Sequence, residues 1–161
     1  MRSALTISKR VWVPRDLLLQ ARALATSWAP LEVGGVLAGY KSGDDVVLTH
    51  LVGPGPDAVH TTETFLPDHV FHEEEIVRIY TQTGGTSIYL GDWHTHPGGL
   101  PKLSRMDRST LGAIANDAAA NCCEPIMMVL AGYGPDWRPA VFQYDIGRAT
   151  RRERPMHLRL W

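Results

Sequence analysis

Cysteine is scarce in this chain: there are two in 161 residues, and Cys122 and Cys123 are adjacent. Neighbouring cysteines rarely reach the Cα separation of an unstrained disulfide, so no disulfide framework holds the fold, which fits a reducing compartment. Long hydrophobic runs are missing too. The longest, such as Ile126 to Ala131, fall far short of the roughly 20 residues that cross a bilayer. The N-terminal residues lack the apolar stretch of a signal peptide, so a cytoplasmic protein without membrane association is expected. Neither charge dominates: sixteen Lys plus Arg against seventeen Asp plus Glu leave a net charge of −1. Such a balance gives no global field to attract nucleic acid or anionic lipid. Repeats, low-complexity runs and long linkers are absent, and 161 residues are too few for a (β/α)8 barrel of about 250 residues.

Apolar residues make up 44% and charged residues 20% of the chain, which suits one packed domain. That domain is expected over residues 1–147, followed by a basic tail over 148–161. Arg148, Arg151, Arg152, Arg154 and Arg159 crowd the tail, with Glu153 as its one acid. A solvated or partly docked tail is the plain reading, and a patch for an anionic partner is the alternative.

Hydrophobic periodicity predicts a strand at Val11–Val13 and a helix over about 14–27, where Leu17, Leu18, Ala21, Leu24 and Ala25 recur at helical spacing. Apolar runs at Glu32–Tyr40 and Val46–Val52, joined by a Ser-Gly-Asp-Asp turn, predict a hairpin. Residues 53–60 carry Gly-Pro-Gly-Pro and are expected to be a loop without a ladder, flanking the functional site. A short strand near Thr64–Leu66 and a helix ending at Gly84-Gly85 follow. After them come a strand at Thr86–Trp93, a helix over about 104–120, and strands at Ile126–Ala131 and Ala140–Tyr144. The order implies an α/β fold with a mixed β-sheet flanked by helices.

The chemistry concentrates in Gly91-Asp92-Trp93-His94-Thr95-His96-Pro97 and in Ser104-Arg105-Met106-Asp107. Side chains two apart on a strand share a face, so His94 and His96 form half of a metal site. Pro97 and Gly98-Gly99 then turn the chain and let a helix bring Asp107 up in its first turn. Two His and one carboxylate leave a fourth tetrahedral position for water, the arrangement of a catalytic zinc. A His-x-His pair alone is most often incidental, and Ser104-x-x-Asp107 alone is equally a helix capping box; capping and ligation are compatible. Glu32 opens a Gly-rich apolar strand, where an acid is costly to bury without a purpose, and is the candidate proton acceptor; taken alone it reads as a plain edge charge, and the company of the motif residues lifts it above that. Asp92 shares the face of His94 and is either a support for it or a simple strand-end charge, Trp93 and Thr95 point the other way into the core, and His60 is expected to border the groove from its loop.

Glu32, then His94-Thr95-His96, seven residues, and Ser104-x-x-Asp107 reproduce the JAMM signature. On these residues the chain resembles the MPN/JAB metalloprotease family, and Gly34-Gly35-x-Leu37-x-Gly39 and Gly91-x-Trp93 resemble its prokaryotic JAB branch. The resemblance spans about residues 10–145 and implies a JAB/MPN fold of cytidine deaminase-like type. It implies one Zn2+ on His94, His96 and Asp107, a proton shuttle on Glu32, and a Ser104 hydroxyl on the oxyanion or the water. It further implies peptidase or isopeptidase action behind the C-terminal glycine of a ubiquitin-like protein, in the manner of bacterial deconjugases, some encoded in anti-phage operons; processing of a ubiquitin-fold sulfur-carrier protein is the alternative. A non-catalytic MPN scaffold is the rival from another class, and its mark, a replaced ligand, is missing. Other His/Asp metallohydrolases need a larger frame or a second histidine cluster, and a nucleic-acid module would have to rely on the arginine tail.

Overall fold

The computed structural model describes residues 9–150 and 152–161. The N-terminal residues 1–8 and Arg151, both used in the sequence reading, lie outside the described residues. Strand β1 (Arg10–Val13) leads into helix α1 (Arg15–Trp28), where Pro14 as N-cap residue lacks only a donor that a helix start leaves unpaired. Strands β2 (Gly34–Ser42) and β3 (Asp45–Val52) form the expected hairpin. Two short strands, β4 (Val59–His60) and β5 (Phe65–Leu66), pair only with each other among the described residues. Helix α2 (His69–Gln82), strand β6 (Ile88–Pro97), helix α3 (Arg105–Asn116) and strands β7 (Ile126–Gly132) and β8 (Arg138–Tyr144) follow. The chain ends in β9 (Glu153–Pro155) and β10 (His157–Leu160).

Eight strands form one mixed sheet in the order β10-β1-β3-β2-β6-β7-β8-β9. Helix α1 covers one face through Leu17, Leu18, Ala21 and Ala25, packed with Leu37, Leu48, Trp93, Met128 and Leu130. On the other face Leu111 of α3 packs on Met127 and Val129, and Ile79 of α2 packs on Val36, Ala38 and Val52. Strand β7 is therefore covered on both sides, which is why it reads as an unbroken apolar run instead of an alternating one.

The basic segment has a place in this sheet. Strand β9 pairs antiparallel with β8, β10 pairs parallel with β1, and the Met156 N–H between them donates to the Val141 carbonyl at 2.8 Å. One continuous segment thus supplies both edge strands, and the sheet curls until its two ends share it. Half-buried arginines are tied to the neighbouring edge here: Arg152 donates to the Tyr144 hydroxyl at 2.7 Å and Arg154 to Asp145 at 2.9 Å.

Three smaller differences from the sequence expectations have local causes. Helix α3 stops at Asn116 instead of about 120, because Asp117 turns extended and its carboxylate takes the Ala119 N–H at 2.9 Å. The segment 53–60 does hold a ladder at its end, where Val59 and His60 pair with Leu66 and Phe65. Strand β6 runs through the motif to Pro97 instead of ending at Trp93, because β7 pairs with it along that whole length.

Candidate metal centre and active-site cleft

Strand β6 lies between β2 and β7, and its alternation divides the motif. Trp93 and Thr95 are fully buried, Trp93 in the α1-side core, while Asp92, His94 and His96 face the α2/α3 side. Thr95 also ties the strands together at this end: its Oγ1 accepts from the Val33 N–H at 3.0 Å, and its N–H donates to the Val33 carbonyl at 2.8 Å. The register Gly34↔His94, continued two residues, sets Glu32 opposite His96. Glycine is required at position 34, because a Cβ there would lie 2.4 Å from the Trp93 carbonyl oxygen and 2.9 Å from His94 Cβ. Close approach of β2 to β6 is what brings Glu32 near the histidines.

Gly98, with φ +69°, stops β6 and turns the chain toward α3. Helix α3 starts with a capping box. Ser104 Oγ accepts from the Asp107 N–H at 3.0 Å, and the Asp107 carboxylate accepts from the Ser104 N–H at 2.6 Å. That box aims the carboxylate at the histidines: Oδ1 lies 3.0 Å from His94 Nε2 and Oδ2 lies 3.3 Å from His96 Nε2. The two Nε2 atoms are themselves 2.9 Å apart.

Three electron-pair donors in so tight a triangle call for a cation. Bonds of about 2.0–2.1 Å to a tetrahedral zinc imply ligand–ligand edges of roughly 3.3 Å; here the two Nε2 atoms are 2.9 Å apart and lie 3.0 and 3.3 Å from different oxygens of the Asp107 carboxylate. The residues therefore fit a metal with little adjustment. His96 Nδ1 lies 3.3 Å from the Leu100 carbonyl. A carbonyl only accepts, so Nδ1 carries a proton, and Nε2, which donates to Asp107 here, is the nitrogen that would give up its proton to bind a metal.

The electrostatics follow from burial and these contacts. Burial pushes the Glu32 carboxyl above the ordinary carboxylate range, and the neighbouring histidines only partly offset this. Burial acts the same way on Asp107, but hydrogen bonds from His94 and His96 outweigh it and hold that carboxyl well below the ordinary range. The hydrogen bond to Asp107 raises His96. Asp92 is pushed up by burial, opposed by the Tyr89 hydroxyl donating to it at 2.7 Å.

One cleft of about 970 Å³ is lined by Glu32, His94, His96, Ser104 and Asp107 together, and by Asp92 on its floor. The sequence expectation that residues 53–60 wall this site is not met. The wall comes instead from Glu63 to Pro67, in and beyond the β4–β5 turn. The Gly-Pro loop is pinned elsewhere: the Asp57 N–H donates to Asp68 at 3.0 Å, and His72 donates to the Gly53 carbonyl at 2.8 Å. His60 does not border the cleft; it lies behind Glu32, its ring stacked on Trp28. Phe65, Leu66 and Met106 join the cleft lining and carry no sequence signal, since an apolar residue on a short strand or helix start reads as ordinary packing.

Residues 14–143 match the family described as prokaryotic homologs of the JAB domain. The chain belongs to that family and is a hydrolase of the JAB metalloprotease class. A Sinorhizobium fredii protein named "Probable metalloprotease y4qB" is 36% identical over 89% of this chain and 87% of its own. An Escherichia coli protein named CD-NTase/cGAS isopeptidase is 29% identical over 79% of this chain and 78% of its own. The solution structure of protein DSY2949 from Desulfitobacterium hafniense has a TM-score of 0.71 over 94% of this chain and 92% of its own, at 16% identity, a likeness of fold. Among the described residues no helix is long and apolar enough to cross a membrane.

Proposed function

We propose that this chain is a zinc-dependent, cytoplasmic peptidase or isopeptidase that cuts behind the C-terminal glycine of a ubiquitin-like protein and frees it from a conjugate. The observation that carries the reading is the single cleft in which the His94–His96–Asp107 triangle, Glu32 and Ser104 meet. The names of the relatives, a metalloprotease and isopeptidases, support hydrolysis of an amide between two proteins.

Zinc held by His94, His96 and Asp107 would supply Lewis acidity to the scissile carbonyl and acidify the attacking water. Glu32 accepts the proton of that water and returns it to the leaving amine. Its raised pKa suits both halves of the task, since a base poised nearer neutrality also serves as the acid. Ser104 Oγ accepts a backbone N–H, so its own hydrogen is left to donate to the oxyanion in the cleft. The short β5 strand on the cleft wall pairs only with β4 among the described residues, and an extended tail can add beside such an edge. A Gly-Gly tail suits the approach because it has no Cβ to hold its backbone away from the metal.

The test uses zinc-loaded protein and fusions of ubiquitin and of a ubiquitin-fold sulfur-carrier domain to a reporter. Each is made with a Gly-Gly and a Gly-Val tail, and product masses are followed. Release behind glycine and loss of cutting with valine supports the reading, and the preferred fusion separates deconjugation from carrier processing. Equal cutting of both tails, or cutting of unrelated peptides alone, rejects it in favour of a general metallopeptidase.

A further inference from the structure

Glu32 belongs to no strand, since β2 begins at Gly34, yet its carboxylate must be placed accurately. What holds its backbone is the β4–β5 hairpin. The Glu32 N–H donates to the Thr61 carbonyl at 2.8 Å, and His60 Nδ1 lies 2.8 Å from the Glu32 carbonyl oxygen. A carbonyl offers no proton, so Nδ1 of His60 is the donor. Consecutive hairpin residues thus hold both polar groups of Glu32's main chain.

The imidazole is itself fixed. Its ring stacks on Trp28, the last residue of α1, with centroids 3.6 Å apart and planes 11° from parallel, and Phe65 tilts against it at 5.3 Å. The hairpin turn is closed by the Thr61 N–H donating to the Thr64 carbonyl at 2.9 Å. A rigid helix therefore sets the plane of the ring, the ring aims one N–H, and that N–H meets the residue whose carboxylate faces the cleft.

We propose that His60 is a positioning residue for the reaction: its Nδ1–H holds the main chain of Glu32 so that the carboxylate faces the His94–His96–Asp107 triangle. The inference rests on the reading of Glu32 as the proton acceptor. It assigns the effect to the donor and not to the ring, whereas a purely structural His60 would act through its stack on Trp28. Misplacing a catalytic group by about 1 Å costs up to about 10²-fold in rate, so the hold is expected to appear in kcat and to leave KM alone.

Two substitutions separate donor from ring. His60→Asn keeps an N–H at the δ position without the ring, and His60→Phe keeps a ring on Trp28 without the N–H. The readouts are amide hydrogen exchange at Glu32 by NMR, zinc content, thermal melting, and kcat and KM on ubiquitin carrying a C-terminal aminocoumarin amide. The Phe variant is expected to keep its zinc, melting temperature and KM, to lose roughly ten- to a hundredfold in kcat, and to exchange the Glu32 amide faster. The Asn variant is expected to hold kcat and exchange near wild type.

A Phe variant with wild-type kcat and wild-type exchange at Glu32, or an Asn variant impaired as badly as Phe, overturns the proposal. Glu32→Gln in the same assay keeps the two claims apart. An active Glu32→Gln refutes the reading of Glu32, whereas an inactive one beside a fully active His60→Phe refutes the positioning role alone. If ubiquitin is not cut, exchange at Glu32 decides by itself, and an unchanged rate in His60→Phe overturns the proposal.

Discussion

Ser104 and Asp107 satisfy each other's backbone N–H at the start of α3, at 3.0 and 2.6 Å, and the same carboxylate completes the triangle with His94 and His96. Cap and proposed ligand are one group. The first turn of a helix, which needs an acceptor, thereby aims the carboxylate proposed to hold the metal.

This coupling separates two effects at Ser104. Ser104→Ala removes the side-chain cap, at a cost of about 1 kcal/mol, or roughly 2–4 °C in melting temperature for a chain of this size. The backbone N–H of position 104 still reaches the carboxylate, so zinc content is expected to hold. Loss of the hydroxyl as oxyanion donor lowers turnover by about 10²–10³-fold. Calorimetry, metal analysis and rate measurement on one preparation check all three, and unchanged turnover would place the oxyanion donor elsewhere.

Truncation after Gly147 removes β9 and β10, uncovers the edges of β8 and β1 together, and strips Met156 from the core. Two exposed edges invite pairing between copies. The shortened chain is expected to aggregate or to melt far below the full chain in size-exclusion and thermal assays. A monomer of unchanged stability would make the segment a solvated tail after all.

At the start of α2, Asp68 accepts from the Phe71 N–H at 3.1 Å and the Asp57 N–H at 3.0 Å, and these bonds lower its pKa from the ordinary 3.8. A carboxyl whose folded pKa is depressed gives its full stabilisation above the unfolded value and loses it as pH falls through the folded one. Melting temperature of the wild type is therefore expected to drop on acidification below about pH 4, and Asp68→Asn is expected to be less stable at neutral pH with a shallower acid decline. Parallel pH curves for the two proteins would contradict this.

The candidate site was more legible than the fold around it. His94, His96, Ser104 and Asp107 lie within fourteen positions of one another, and strand alternation plus one helix start bring them together without long-range information. Glu32 needed the motif, because only the β2–β6 register shows that it faces His96. His60 was misplaced since its stacking partner Trp28 and its acceptor Glu32 come from distant segments. Strands β9 and β10 were invisible for a related reason: strands of three and four residues owe their pairing to the open edges of β8 and β1, which no local pattern records. The helices α1 and α2 and strand β7 were legible because burial on one or both faces writes itself into apolar spacing.

The most direct test of the account measures zinc per chain and turnover together in the wild type, Glu32→Gln and His96→Ala. The account predicts about one zinc per wild-type chain. It predicts zinc retained in Glu32→Gln with turnover down about 10²–10⁴-fold, and both zinc and turnover lost in His96→Ala. Full metal occupancy in His96→Ala, or wild-type turnover in Glu32→Gln, would contradict it.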